Sequence, residues 1–203
     1  MLQPEIVFIV LPAHRRYRRS MPITPDDKNW TWVLERTCPD CGFDAPAVDR
    51  SAVGDLARRN VEAWPSLLAR PEATLRPTDD QWSALEYACH VRDVFRLFDQ
   101  RLQLMLDEDG PRFVNWDQDV TAVQDHYDQQ NAAVVTGQLV AAGMAIADRF
   151  DTVTGDQWQR TGFRSDGAAF TVESFARYFL HDPVHHVDDV VRGYEIIAAG
   201  SID

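Results

Sequence analysis

His181 and His185 stand four residues apart. On a continuous helix that spacing puts two side chains about 40° apart in azimuth and one turn apart in height. Imidazoles so placed can share one divalent ion, and they can equally be two solvated histidines on a helix face. His186 projects about 140° from His181 and should face elsewhere. His90 lies at the edge of an apolar stripe with Leu85, Cys89 and Val94. Its ring should therefore sit near the interior, either as a hydrogen-bonded core residue or as a third ligand. Three imidazoles from two facing helices leave a fourth coordination position open for water or a substrate thiolate. Pro183 removes a helical N–H between the two later histidines, so the helix should kink or restart there. Asp182 and Pro183 would then serve as N-cap and first residue. His14 and His126 read as solvated surface residues.

Cys38 and Cys41 form a C-x-x-C pair. This is half of a four-thiolate zinc site, but no second pair exists, since Cys89 falls on a core stripe. A redox dithiol would need a thioredoxin-like strand and helix, which the flanking sequence does not suggest. The remaining readings are a turn with two reduced thiols, a site shared with a histidine, and a metal bridged between subunits. Glu86, Asp182, Asp188 and Asp189 lie close enough in sequence to orient the histidines, although an S-x-x-E capping box already accounts for Glu86. Arg92, Arg96 and Arg177 could meet an anionic substrate or pair with acidic neighbours at the surface. Trp64, Trp82, Trp116 and Trp158 could line a pocket or pack in the core.

Four helical segments must position these groups. Residues 49–69, 83–109, 131–150 and 171–197 repeat apolar residues at spacings of three and four. Ser83 and Glu86 open the second. Pro65 should kink or shorten the first. Residues 110–130 are polar, with room for a short helix, and the glycines of 151–170 suit an irregular or strand-like excursion. Residues 30–49 lack helical periodicity and read as an extended lead-in with a tight turn at the cysteines. Four amphipathic helices of about 20 residues bury their apolar faces most economically as an all-α four-helix bundle. The expected division is a leader or mis-assigned start over 1–20, the lead-in over 21–49 and the bundle over 50–203. Met21 is the alternative start, and the arginines of the leader follow its apolar stretch, the reverse of a secretory signal.

The chain has 203 residues, 45% of them apolar, and a net charge of −12. Such a surface repels polyanions, so neither nucleic acid nor an anionic membrane is an expected partner. No apolar run approaches the roughly 20 residues of a membrane span. Three cysteines fit a reducing cytoplasm better than a disulfide framework.

Trp82-Ser83-x-x-Glu86-x-x-x-His90 on the second helix, followed by His181-x-x-x-His185 on the last, resembles the DinB superfamily. The resemblance spans roughly residues 50–199. It implies a bundle of up-down-down-up topology, often a homodimer, with His90, His181 and His185 as metal ligands. It also implies a divalent ion (zinc, with nickel, iron or manganese as alternatives). The activity implied is transfer of a low-molecular-weight thiol of the mycothiol type to a small electrophile. The alternatives are a thiol-dependent isomerase and a non-catalytic stress-response bundle that binds a metal or ligand. Many members carry Arg-Gly-Gln after the final histidine pair, whereas here His186-Val187-Asp188-Asp189 follow His185.

Overall fold

The computed structural model describes Ile23 and residues 29–200. The expected leader over 1–20 lies outside these residues. Among these described residues five α-helices form: α1 (Val53–Leu68), α2 (Ala84–Asp107), α3 (Gln118–Gln124), α4 (Ala132–Asp151) and α5 (Val172–Gly200). Strands β1 (Thr161–Phe163) and β2 (Ala169–Thr171) make an antiparallel hairpin before α5.

Local signals account for the helix boundaries. The Ser83 side chain accepts from the Glu86 N–H, while Glu86 accepts from the Ser83 N–H, which closes the capping box at the start of α2. Asn131 caps α4 through the Val134 N–H. Thr171 and Ser174 exchange backbone-to-hydroxyl bonds at the start of α5. α1 continues through Pro65 to Leu68. The expected restart at Pro183 does not occur, because α5 is continuous from Val172 to Gly200. Pro183 is buried there, and Asn60 of α1 donates to its carbonyl at 2.7 Å while accepting from the Trp64 indole. Packing against α1 thus outweighs the loss of one helical hydrogen bond.

Side-chain pairs give the topology. Arg58 of α1 meets Asp148 and Asp151 of α4, so these helices run antiparallel. Arg92 reaches Gln138 and Arg149 reaches Asp99, so α2 and α4 are parallel. Phe98 stacks on Phe175, and Phe95 meets Phe179 edge to face, which makes α5 antiparallel to α2. The order is up-down-down-up, as expected. Helix α4 lies between α1 and α2, and Gly143 permits that approach, since a Cβ there would collide with Val61 and with Phe95. By length and composition α4 could also cross a membrane, contrary to the sequence expectation. Its place between two amphipathic helices accounts for its apolar character.

Outside the bundle, residues 30–49 form 3-10 turns at Trp30–Leu34 and Ala45–Ala47 instead of the expected extended segment. They pack on α5. The segment from 110 to 117 is bound to the hairpin through the Phe113 N–H and Phe163 carbonyl, 2.8 Å apart. Together these segments build one end of the bundle into a cleft of about 940 Å³.

Candidate metal centres

The sequence His181-Asp182-Pro183-Val184-His185-His186 contains two interleaved pairs at i,i+4, His181 with His185 and Asp182 with His186. Adjacent residues on a helix diverge by about 100°, so the two pairs form neighbouring strips with different outlooks. One strip faces α2 and the other faces the N-terminal segment.

On the α2 side, His90, Asp182 and His186 each bring a ligand atom within 4.8 Å of the others. Asp182 Oδ2 lies 3.4 Å from His90 Nε2 and 3.8 Å from His186 Nε2. The edges of a tetrahedral shell of nitrogen and oxygen ligands are about 3.3 Å, so small side-chain movements suffice to enclose a cation. His90 is fully buried between Trp116, stacked at 5.5 Å, and Trp82 at 5.4 Å. Its Nδ1 and the Asp182 Oδ1 are buried without hydrogen-bond partners. Burial raises the Asp182 carboxyl, but His90 and His186 together outweigh it and hold the group down at about 2. Two imidazoles and an ionised carboxylate with unsatisfied lone pairs form a donor set that fits a divalent ion. His186 Nδ1 lies 3.0 Å from Asp189 Oδ2, which fixes the ring with Nε2 toward the cluster.

On the other side, Cys38, Cys41, His181 and His185 also bring their ligand atoms within 4.8 Å of one another. Cys38 Sγ is 3.8 Å from His185 Nδ1. Trp30 covers both imidazoles, with ring centroids at 5.2 Å from His181 and 5.3 Å from His185. Burial, with the neighbouring His185, pushes His181 down to about 4, so the ring is neutral at pH 7 and its nitrogen is available to a metal. Burial drives the Cys41 thiol up to about 11, against a Phe43 N–H that draws it partly back.

The structure therefore divides the expected trio. His90 is grouped with Asp182 and His186, while His181 and His185 are grouped with the cysteine pair. The physical reason is a one-residue offset in the rotation of α5, which turns Asp182 toward α2 in place of His181. Asp182 becomes a candidate ligand instead of a supporting residue. Asp189 Oδ2, beside His186 Nδ1, is also 3.6 Å from His185 Nε2. Glu86 does not approach the histidines, being bound by Ser83 and by Arg76 at 3.0 and 3.2 Å.

None of the three expected substrate arginines lines the cleft. Arg92 is buried against Asp93, Gln130 and Gln138. Arg96 pairs with Asp93, and Arg177 with Glu173 and the Val48 carbonyl. The guanidinium groups that do line the cleft are Arg164, which pairs with Asp166, and Arg101. Burial lowers Arg101 to about 10, and it lies over the rings of Phe98 and Phe113 while donating to the Val114 carbonyl. A helical arginine one turn beyond Phe98 carries no sequence signal that separates it from a surface residue. Trp82 and Trp116 line the cleft together with Trp30, whereas Trp64 and Trp158 are buried in the core.

The fold and the α2–α5 cluster define a four-helix bundle with a metal-type donor set at one end. The sequence profile of the DinB superfamily matches residues 54–190, and the chain belongs to that superfamily. No curated protein matches it significantly. Among solved structures, it is similar to YfiT from Bacillus subtilis, described as a probable metal-dependent hydrolase with an unusual four-helix bundle topology. That likeness has a TM-score of 0.58 at 16% identity and covers 86% of this chain and 93% of that one.

Proposed function

We propose that this protein is a divalent-metal-dependent enzyme that activates a low-molecular-weight thiol of the mycothiol type for attack on a small electrophile. His90, Asp182 and His186 would hold the ion. The observation that carries this reading is the convergence of these three residues beside a cleft large enough for two small molecules. When bound, a divalent ion supplies the Lewis acidity that lowers the pKa of an adjacent thiol or water.

The chain's own residues do the remaining work. Asp189 holds the His186 ring in the ligating tautomer. Trp82 and Trp116 flank His90 and keep solvent from that side. The cleft, at about 940 Å³, is near the upper end of small-molecule sites, which suits a cosubstrate and an acceptor together. Its lining carries Asp80, Asp117 and Asp119 beside Gln81, Asn115 and Gln118, and its carboxylates outnumber Arg101 and Arg164. Amides and carboxylates favour a neutral polyhydroxylated thiol over one with a net negative charge. The similarity to YfiT supports a second reading in which water replaces the thiol and the reaction is hydrolysis.

Metal-stripped protein reloaded with zinc, nickel, manganese or iron should consume mycothiol in the presence of a fluorogenic haloalkyl acceptor. His186→Ala should reduce the rate at least about 100-fold. Equal thiol consumption with and without metal would refute the transferase reading. Metal-dependent cleavage of an activated ester with no thiol present would establish hydrolysis in its place.

A further inference from the structure

We infer that Cys38, Cys41, His181 and His185 form a second, structural zinc site, separate from the His90–Asp182–His186 cluster, that fastens the N-terminal segment to α5. The four ligand atoms lie within 4.8 Å of one another. A tetrahedral zinc with two sulfur and two nitrogen ligands has edges of about 3.3–3.8 Å, and the Cys38 Sγ to His185 Nδ1 separation is already 3.8 Å.

The surrounding backbone is shaped for such a site. Cys38 and Cys41 flank Pro39 and Asp40 in a turn closed by the Gly42 N–H on the Cys38 carbonyl at 2.9 Å. The Cys38 N–H donates back to the Phe43 carbonyl, also at 2.9 Å. Gly42 has φ of +71° with no atom within 4 Å of a Cβ position, so glycine is needed there for its conformation and not for space. This turn aims both sulfurs at one point, toward two imidazoles one helical turn apart. His181 Nε2 is buried and lacks a hydrogen-bond partner, as expected of a nitrogen facing a cation. Cys38 and His181 are buried, and all the cysteines are free.

Two thiolates balance the charge of a divalent ion in this half-buried position, and sulfur ligands select zinc over magnesium, calcium or manganese. Four protein ligands close the coordination shell, so the role is structural. The ion would join residues 147 positions apart in sequence, Cys38 and His185. It would also seat Trp30 at the cleft wall.

The test is metal analysis of untagged protein purified without chelators, then reconstituted with Co²⁺. Wild-type protein should hold about two divalent ions per chain. Cys38→Ser/Cys41→Ser should hold about one, and so should His186→Ala. The Co²⁺ form should show a thiolate-to-cobalt charge-transfer band in the near ultraviolet that His186→Ala keeps and the double serine variant loses. Should the serine variant not fold, titration of wild-type zinc protein with a mercurial should release about one ion for every two thiols. A wild-type Co²⁺ form without the charge-transfer band would overturn the proposal, as would unchanged metal content in the folded serine variant or a disulfide between Cys38 and Cys41 in freshly isolated protein. Failure here leaves the loss of activity expected of His186→Ala untouched, so the two readings fail separately.

Discussion

Asp189 occupies a position that neither cluster explains alone. Its Oδ2 lies 3.0 Å from His186 Nδ1 and 3.6 Å from His185 Nε2. His186 therefore presents Nε2 to the α2-side cluster, and His185 presents Nδ1 to the cysteines. Burial would raise the Asp189 carboxyl, but its hydrogen bond and charge contact with His186 hold it below the usual range, so it is ionised at neutral pH. One carboxylate thus orients an imidazole in each cluster and raises the basicity of both rings. Asp189→Ala should weaken metal binding at both clusters by roughly 10–100-fold, as measured by competition with a chromophoric chelator at pH 7. Loss at one cluster alone would show that the shared contact is incidental. The histidines and cysteines themselves were visible in the sequence as ligand types. Their partition was not, because spacing defines which residues share a strip of helix but not the direction in which the strip points. That direction comes from the packing of Phe175 and Phe179 against Phe95 and Phe98, which depends on side-chain shape across two helices.

At the scale of elements, the four long helices were legible because each has a periodic apolar face and three of them a polar side-chain cap. Ser83 caps where expected, and Asn131 caps α4 although its role was not read from the sequence. The behaviour at Pro183 was not legible, since the compensating contact comes from Asn60 on another helix. The junction of α2 with the connection before α4 offers a test through pH. Asp93 receives Arg92 at both carboxylate oxygens, at 2.9 and 2.8 Å, and the Tyr127 phenol at 2.6 Å. Arg92 also bonds Gln130 and Gln138, so one cluster joins α2, the turn at Tyr127 and α4. Burial raises the Asp93 carboxyl, but the bonds from Arg92 and Tyr127 outweigh it and leave the pKa below 3.8. A carboxylate depressed on folding stabilises the protein above its unfolded pKa. That stabilisation is lost as pH falls through the folded value. Asp93→Asn should cost about 1–3 kcal/mol at pH 7. The difference from wild type should shrink below about pH 4, since protonation removes the charge from the parent as well. Urea unfolding at pH 7 and pH 3 measures both differences, and an equal loss at the two pH values would contradict this account.

For the whole molecule, the bundle and the cleft draw on different sources of order. The bundle is sustained by a continuous apolar core in which Trp64, Phe95, Phe150 and Phe179 are almost fully buried. Such a core needs no ion. The cleft end instead gathers polar and aromatic residues from the N-terminal segment, the 110–117 connection and the middle of α5. Of the N-terminal segment, Val33, Cys38, Ala45 and Val48 are buried, a small apolar area for some twenty residues. Without an ion at the cysteine–histidine cluster, that anchorage would fall to these four side chains, to the half-buried Leu34 and Phe43, and to Arg177 on the Val48 carbonyl. A ligand that binds only the folded arrangement stabilises it in proportion to the free energy of binding. Chelation should therefore loosen one end of the molecule without melting the rest. In hydrogen exchange, amides of residues 30–48 should exchange at least about tenfold faster after zinc removal, while the centres of α1, α2 and α4 stay protected. Restoring zinc should reverse the change, and magnesium should not, because thiolate ligands discriminate against hard cations. Uniform acceleration across all helices would instead mean that the ion supports the whole bundle. No change at residues 30–48 would mean that the apolar contacts hold the segment unaided.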